Sequence, residues 1–99
     1  MVRRAARKDA NSQDVVAALR AAGCRVHIFT EGRVLDLLVG VPTPDGRGVF
    51  VLIEVKTESG DLTPAQEKFI EEFRGCPCFV VRSAEEAIEI VERVARGQS

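Results

Sequence analysis

The chain has 99 residues, 45% of them hydrophobic and 29% charged, with a formal net charge of −1. Those values describe one small, soluble globular domain and exclude a strongly basic protein that coats nucleic acid unaided. No apolar run approaches the ~20 residues of a membrane span, and the basic opening Met1 to Lys8 lacks the apolar stretch of a secretory signal, so a cytoplasmic setting with no membrane partner is expected.

Residues 1–8 are read as a basic, flexible arm, and a single domain is expected over residues 9–96. Asn11 or Asp9 can cap a first helix through Val15, Val16, Ala18, Leu19 and Ala22, with Gly23 as its stop. Val26-His27-Ile28-Phe29 reads as a strand and Glu31-Gly32 as a tight turn. The second strand is expected from Arg33 to Val41 and the third from Val49 to Lys56. The Pro42–Gly48 stretch between them is rich in turn residues, so the two strands form a hairpin.

Thr63-Pro64-Ala65-Gln66 opens a second helix, with Thr63 as cap, Pro64 at the first helical position and Gln66 closing a capping box. Phe69, Ile70 and Phe73 are its expected buried stripe and Gly75 its end. Cys78-Phe79-Val80-Val81 reads as an apolar, interior strand. Ser83-Ala84-Glu85-Glu86 is a second capping box before a helix that turns Ala87, Ile88, Ile90, Val91 and Val94 inward. The order αβββαβα predicts an α/β fold of three layers, a mixed sheet flanked by helices.

Cys24, His27, Cys76 and Cys78 are all metal-ligand types, but Cys76-Pro77-Cys78 does not match structural-zinc spacing. An odd count of three cysteines is also a poor disulfide framework, and the thiols read better as small side chains at strand ends. Charge is asymmetric along the chain. Residues 1–56 carry nine Lys/Arg against six Asp/Glu, or +3, and residues 57–99 carry five against nine, or −4. The positive half, with Arg3, Arg4, Arg7, Lys8, Arg25 and Arg33, suits a polyanionic partner, although a solvated surface has the same composition.

The chemistry concentrates in two apolar runs. Asp36 interrupts Val34-Leu35-Asp36-Leu37-Leu38-Val39, and Glu54 and Lys56 interrupt Ile53-Glu54-Val55-Lys56. An ionised group buried in a strand core is costly unless it is paired or holds a metal. Alternation puts Glu54 and Lys56 on one face of their strand, and the hairpin brings Asp36 onto the neighbouring strand. Two acids and a lysine in that arrangement suit a divalent cation with a lysine beside a reacting water. An ordinary exposed pair on the solvent face of an antiparallel strand is the other reading.

Asp36, then Glu54-Val55-Lys56-Thr57, then Gly60-Asp61-Leu62-Thr63-Pro64-Ala65-Gln66, then Val80-Val81-Arg82-Ser83-Ala84-Glu85-Glu86-Ala87 together resemble the PD-(D/E)xK nuclease superfamily. The match is closer to its VRR-NUC (virus-type replication-repair nuclease) branch and covers roughly residues 9–94. The resemblance implies a restriction-endonuclease-like core and metal-dependent hydrolysis of DNA phosphodiester bonds, leaving 5′-phosphate and 3′-hydroxyl ends. It implies Asp36, Glu54 and the Val55 carbonyl as ligands of Mg²⁺ or Mn²⁺, and Lys56 and Gln66 as further catalytic residues. It also implies branched or Holliday-junction DNA as partner, a homodimer, and a role in viral or phage replication and repair in a bacterial or infected host cytosol. Two departures stand out. Leu35 occupies the place of the usual proline before the aspartate, and Ser12 lies near the first-helix position where many relatives carry a glutamate. Asp14 is two positions on, about 200° round a helix, and is no simple replacement. A non-catalytic DNA-binding or assembly module beside a helicase or other replication protein is the alternative.

Overall fold

The computed structural model describes the backbone of residues 2–32 and 34–98, and the side chains from Ala10 onward within those spans. The expected strand start at Arg33, and the side chains of Arg3, Arg4, Arg7, Lys8 and Asp9, lie outside what is described. Elements follow the order α1 (Val2–Ala21), β1 (Arg25–Ile28), β2 (Leu37–Val41), β3 (Val49–Val55), α2 (Pro64–Glu72), β4 (Cys78–Val81) and α3 (Ala84–Ala95). The strands form one mixed sheet in the order β1-β2-β3-β4. The β1–β2 and β2–β3 pairs are antiparallel and β3–β4 is parallel. Among the described residues no helix is long and apolar enough to cross a membrane.

Strand alternation divides the sheet into two unlike faces. Leu37, Val39, Val41, Val51, Ile53, Val55 and Val81 form a continuous apolar face. α1 covers it with Val15, Val16 and Leu19, and α3 with Ala87, Val91 and Val94; the two helices also pack on each other. Each fully buried Val, Leu or Ile side chain contributes about 1.5–3 kcal/mol, so this face holds the fold together. The register puts Arg25, His27, Leu38, Gly40, Phe50, Leu52 and Glu54 on the opposite face. There Phe50 remains 72% exposed.

Local signals hold at several ends. Gly23 (φ +93°) stops α1, with Cys24 N–H donating to Leu19 C=O and Gly23 N–H to Arg20 C=O, a Schellman arrangement. The Thr63 capping box forms in both directions: Gln66 N–H donates to Thr63 Oγ1 (3.2 Å) and Thr63 N–H to Gln66 Oε1 (2.9 Å). In the β2–β3 turn, Thr43 Oγ1 accepts from Gly48 N–H and donates to Asp45, whose carboxylate also accepts from Arg47 N–H. These bonds, led by that from Thr43, hold the Asp45 carboxyl below its ordinary pKa.

Other expectations are corrected. α1 begins at Val2, so neither Asp9 nor Asn11 caps it and the arm's backbone continues the helix; Ala22 lies beyond its end, exposed. β2 begins at Leu37, which leaves Asp36 just before the strand instead of within it. β4 is an edge strand, not an interior one; it is apolar because Val81 is buried and Cys78, Phe79 and Val80 are half-buried at the margin of the core. α2 does not bury its aromatic stripe. Only Gln66 is buried there; Phe69 and Ile70 are half-buried and Phe73 is 41% exposed, stacked on Phe69 at 4.5 Å. The helix is fastened at its first turn, so its far end has no core to enter. It ends at Glu72, with Phe73 as C-cap, before Gly75 is reached. The Ser83 cap accepts from Glu86 N–H, but the Glu86 carboxylate accepts from Arg82 N–H, one residue earlier than a capping box requires.

Candidate active site

The last β2–β3 pair is Leu37↔Ile53. Beyond it the β2–β3 pairing stops while the β1 side continues, with the Asp36 carbonyl accepting from Phe29 N–H (2.9 Å). The Val55 N–H, which an unbroken ladder would give to a β2 carbonyl, instead donates to Asp36 Oδ2 at 2.9 Å. A side-chain carboxylate thus replaces a backbone acceptor at the fork. It stands against the peptide that joins Glu54 to Val55. Within a strand the N–H and C=O of one residue point to the same edge, so strand geometry directs the Val55 carbonyl into that fork as well.

All three charged residues are sequestered: Asp36 is 7% exposed, Glu54 0% and Lys56 9%. Lys56 Nζ lies 3.4 Å from Glu54 Oε2, so the alternation that predicted a shared face also produces a contact. The reading of these residues as an exposed surface pair does not survive this burial. Burying such groups costs several kcal/mol per ion before pairing offsets it. Sites that carry that cost are commonly functional.

Lys56 is held from three sides. Its N–H donates to Val81 C=O (2.9 Å) and so prolongs the β3–β4 ladder by one rung. Asn11 Nδ2, from α1, donates to the carbonyls of both Lys56 (2.8 Å) and Arg82 (3.2 Å), clamping the ends of two strands together. Arg82 in turn donates to the carbonyls of Thr57 (2.6 Å) and Gly60 (2.7 Å), which curls the loop after Lys56 around its guanidinium. These two residues were not anticipated as part of the site. Asn11 is a cap residue by type, and its partners lie 45 and 71 positions away. Arg82 stands inside one of the segments that carry the family resemblance, which is the one signal that marks it.

Gln66 lies at the rim. Its Nε2 donates to Val34 C=O (3.2 Å) while Oε1 caps α2, so its amide ties the helix to the segment leading into Asp36. Gln66 and Asp36 line one cavity of about 320 Å³. Ser12 and Asp36 line another, of about 600 Å³. Among the described residues no group of three or more His, Cys, Asp or Glu side chains is placed to hold one ion. The site therefore offers two carboxylates and a strand carbonyl. That is an all-oxygen set which suits a hard cation that keeps several waters. The cysteines are unlike one another: Cys24 is buried, Cys78 half-buried and Cys76 exposed, and burial raises the thiol pKa of both Cys24 and Cys78.

Residues 30–85, more than half of the chain, match the model of the VRR-NUC domain. The chain belongs to the VRR-NUC family. A solved VRR-NUC domain structure superposes with a TM-score of 0.68 at 32% identity, covering 86% of this chain and 94% of that one. No curated protein matches. Membership in a nuclease family implies a nuclease-type, DNA-processing function. The span matched to the VRR-NUC model contains Asp36, Glu54, Lys56, Gln66 and Arg82 and excludes Asn11 and Ser12.

Proposed function

We propose that the chain is a Mg²⁺- or Mn²⁺-dependent endodeoxyribonuclease that hydrolyses phosphodiester bonds in branched DNA of the Holliday-junction type, as a homodimer, in viral or phage replication and repair. The bond from Val55 N–H to Asp36 Oδ2 supports the proposal, because it ties one carboxylate to the backbone between Glu54 and Lys56, which contact each other. Asp36, Glu54 and the Val55 carbonyl are the residues that would hold the cation. The cation would supply Lewis acidity at the scissile phosphate and lower the pKa of a water. Lys56 orients the attacking water and offsets negative charge as it develops on the transferring phosphorus group. Burial strengthens that interaction, since the ammonium acts where water screens it little. Gln66 acts at one remove, holding the Val34 backbone that leads into Asp36. Asn11 and Arg82 hold the strand end from which Lys56 projects.

A junction presents two symmetric strands, which favours a dimer with paired sites. β3 is paired on both edges, so the Val49–Ile53 segment offers no strand for dimerisation. A helix face remains available: α2 leaves Phe69 and Ile70 half-exposed and Phe73 41% exposed. The proposal predicts that purified protein with either cation nicks or resolves branched DNA, and that EDTA or Lys56→Ala abolishes cleavage. Intact junctions, flaps, single strands and duplexes with both metals would refute it. One observation favours a second reading, a non-catalytic DNA-binding or assembly module: Ser12 adds no third acid where it faces the Asp36 cavity. Junction binding unchanged by Asp36→Ala, with no metal uptake in calorimetry, would select it.

A further inference from the structure

The face of the sheet left open by α1 and α3 carries a slot that the nuclease chemistry does not use. In the row Arg25–Gly40–Phe50, which crosses β1, β2 and β3, the middle position has no side chain. Two strand spacings separate the outer residues, about 9–10 Å, and side chains stand roughly perpendicular to a sheet. The slot therefore has a glycine floor, a guanidinium wall and a phenyl wall. A flat ring in contact with both walls needs about 7–8 Å, twice an ordinary van der Waals separation. A Cβ built on Gly40 would already touch Arg25 Cβ at 3.6 Å, so any larger side chain there fills the space.

Its surroundings are cationic and aromatic. Arg20, Arg25, His27, Leu38, Gly40 and Phe50 line a groove of about 620 Å³, and no carboxylate is among its lining residues, although the whole chain has more acids than bases. Phe50 is 72% exposed, so its ring face is open to a ligand. Rings continue from the slot towards the fork. His27 is one row closer and packs edge-on against Phe29 at 5.1 Å, and Phe29 N–H is bonded to the Asp36 carbonyl. Along β3, Phe50 lies four residues from Glu54, on the order of 13 Å, or about four nucleotide steps of a duplex strand.

We infer that this slot binds one unpaired nucleotide of the DNA substrate, its base stacked between Phe50 and Arg25 and its phosphates near Arg20 and Arg25. The inference rests on the nuclease reading for its substrate and names the feature recognised: an unstacked base beside a branch point. Stacking on an aromatic ring tolerates any base, so the slot selects DNA structure without selecting sequence. A fully paired duplex cannot supply the base without opening.

The test separates binding from cleavage. Fluorescence anisotropy in EDTA, on protein carrying Lys56→Ala, compares a labelled duplex bearing a single-stranded arm with a blunt duplex of the same sequence. Phe50→Ala should weaken binding to the armed duplex about ten- to hundredfold, the worth of one base–aromatic stack, and leave the blunt duplex unchanged. Phe50→Trp should retain binding. Gly40→Val offers an independent check. Gly40 is not among the positive-φ glycines, so valine is tolerated by the backbone and should keep thermal stability while blocking the slot. Affinity for the armed duplex unchanged from the parent protein in both Phe50→Ala and Gly40→Val would overturn the inference. So would a loss of binding in Phe50→Ala that accompanies a halved mass in light scattering, which would make Phe50 a contact between copies of the chain. Loss of junction cleavage alone bears on the nuclease reading and leaves this result intact.

Discussion

Replacing Lys56 by methionine removes an ammonium that stands 3.4 Å from a carboxylate with no exposed surface. At an effective dielectric of about 20 the attraction at that distance is about 5 kcal/mol, and desolvation of both groups offsets much of it. Removing one partner of a buried pair costs about 3–5 kcal/mol in general. Here the lysine side chain keeps 11% exposure and Glu54 keeps a further interaction, so the expected loss is smaller, about 2 kcal/mol. In a domain of this size that corresponds to a fall in Tm of about 8–16 °C. Lys56→Met combined with Glu54→Gln should recover most of it, because no uncompensated carboxylate is then left inside. Mn²⁺ adds a second measurement. At about ten times its dissociation constant it stabilises the folded state by about 1.4 kcal/mol, or about 6–11 °C, in the wild type and in Lys56→Met. Asp36→Asn should abolish that shift. Differential scanning calorimetry with and without Mn²⁺ reads all four proteins. A Lys56→Met protein that melts with the wild type would refute the energetic account of the pair. A Mn²⁺ shift that persists in Asp36→Asn, or is absent throughout, would refute a cation between Asp36 and Glu54.

Ser12→Glu adds an acid to the cavity that Asp36 also lines, so Mn²⁺ affinity by titration calorimetry should rise about tenfold through the added ligand charge; unchanged affinity means that residue 12 does not reach the ion. Asn11→Ala removes the donor shared by the Lys56 and Arg82 carbonyls, and urea unfolding should show a loss of about 1–3 kcal/mol. If the midpoint does not move, water replaces the clamp. Stability should also fall with rising pH on the alkaline side. Burial raises the thiol pKa of Cys24, and burial with the neighbouring Cys76 raises that of Cys78. Between the ordinary thiol value and these raised ones the unfolded chain has lost protons that the fold still binds, so the slope of stability against pH is negative. Urea midpoints measured upward from neutral pH should decline, and less steeply in Cys24→Ala.

Signals that act within a few residues were legible directly. Thr63, Pro64 and Gln66 specify a helix start because the orphan N–H groups of the first turn need those acceptors at that spacing. The Pro42–Gly48 turn and the Gly23 stop follow from backbone chemistry in the same way. Asp36, Glu54 and Lys56 stood out because ionisable groups inside apolar runs are costly wherever the strands end up. Readings that depended on which surface lies opposite went astray. The Phe69–Phe73 stripe looks like a core face, yet Gln66 in the first turn is the one buried residue of α2. The apolar Cys78–Val81 strand looks interior, yet among the described residues nothing pairs beyond it in the sheet. Asn11 looks like a cap because its amide suits one, and only packing against two distant strand ends gives that amide other work.

Sequence alone was enough to order the elements and name the charged trio, since helix caps, turns and misplaced charges are properties of short stretches of chain. Folding settled the rest. β2 gives way at Asp36, a carboxylate stands in for a missing ladder carbonyl, and one face of the sheet stays open around Gly40. Each of these follows from partners far apart in the chain, and no local preference encodes where a strand will lose its neighbour.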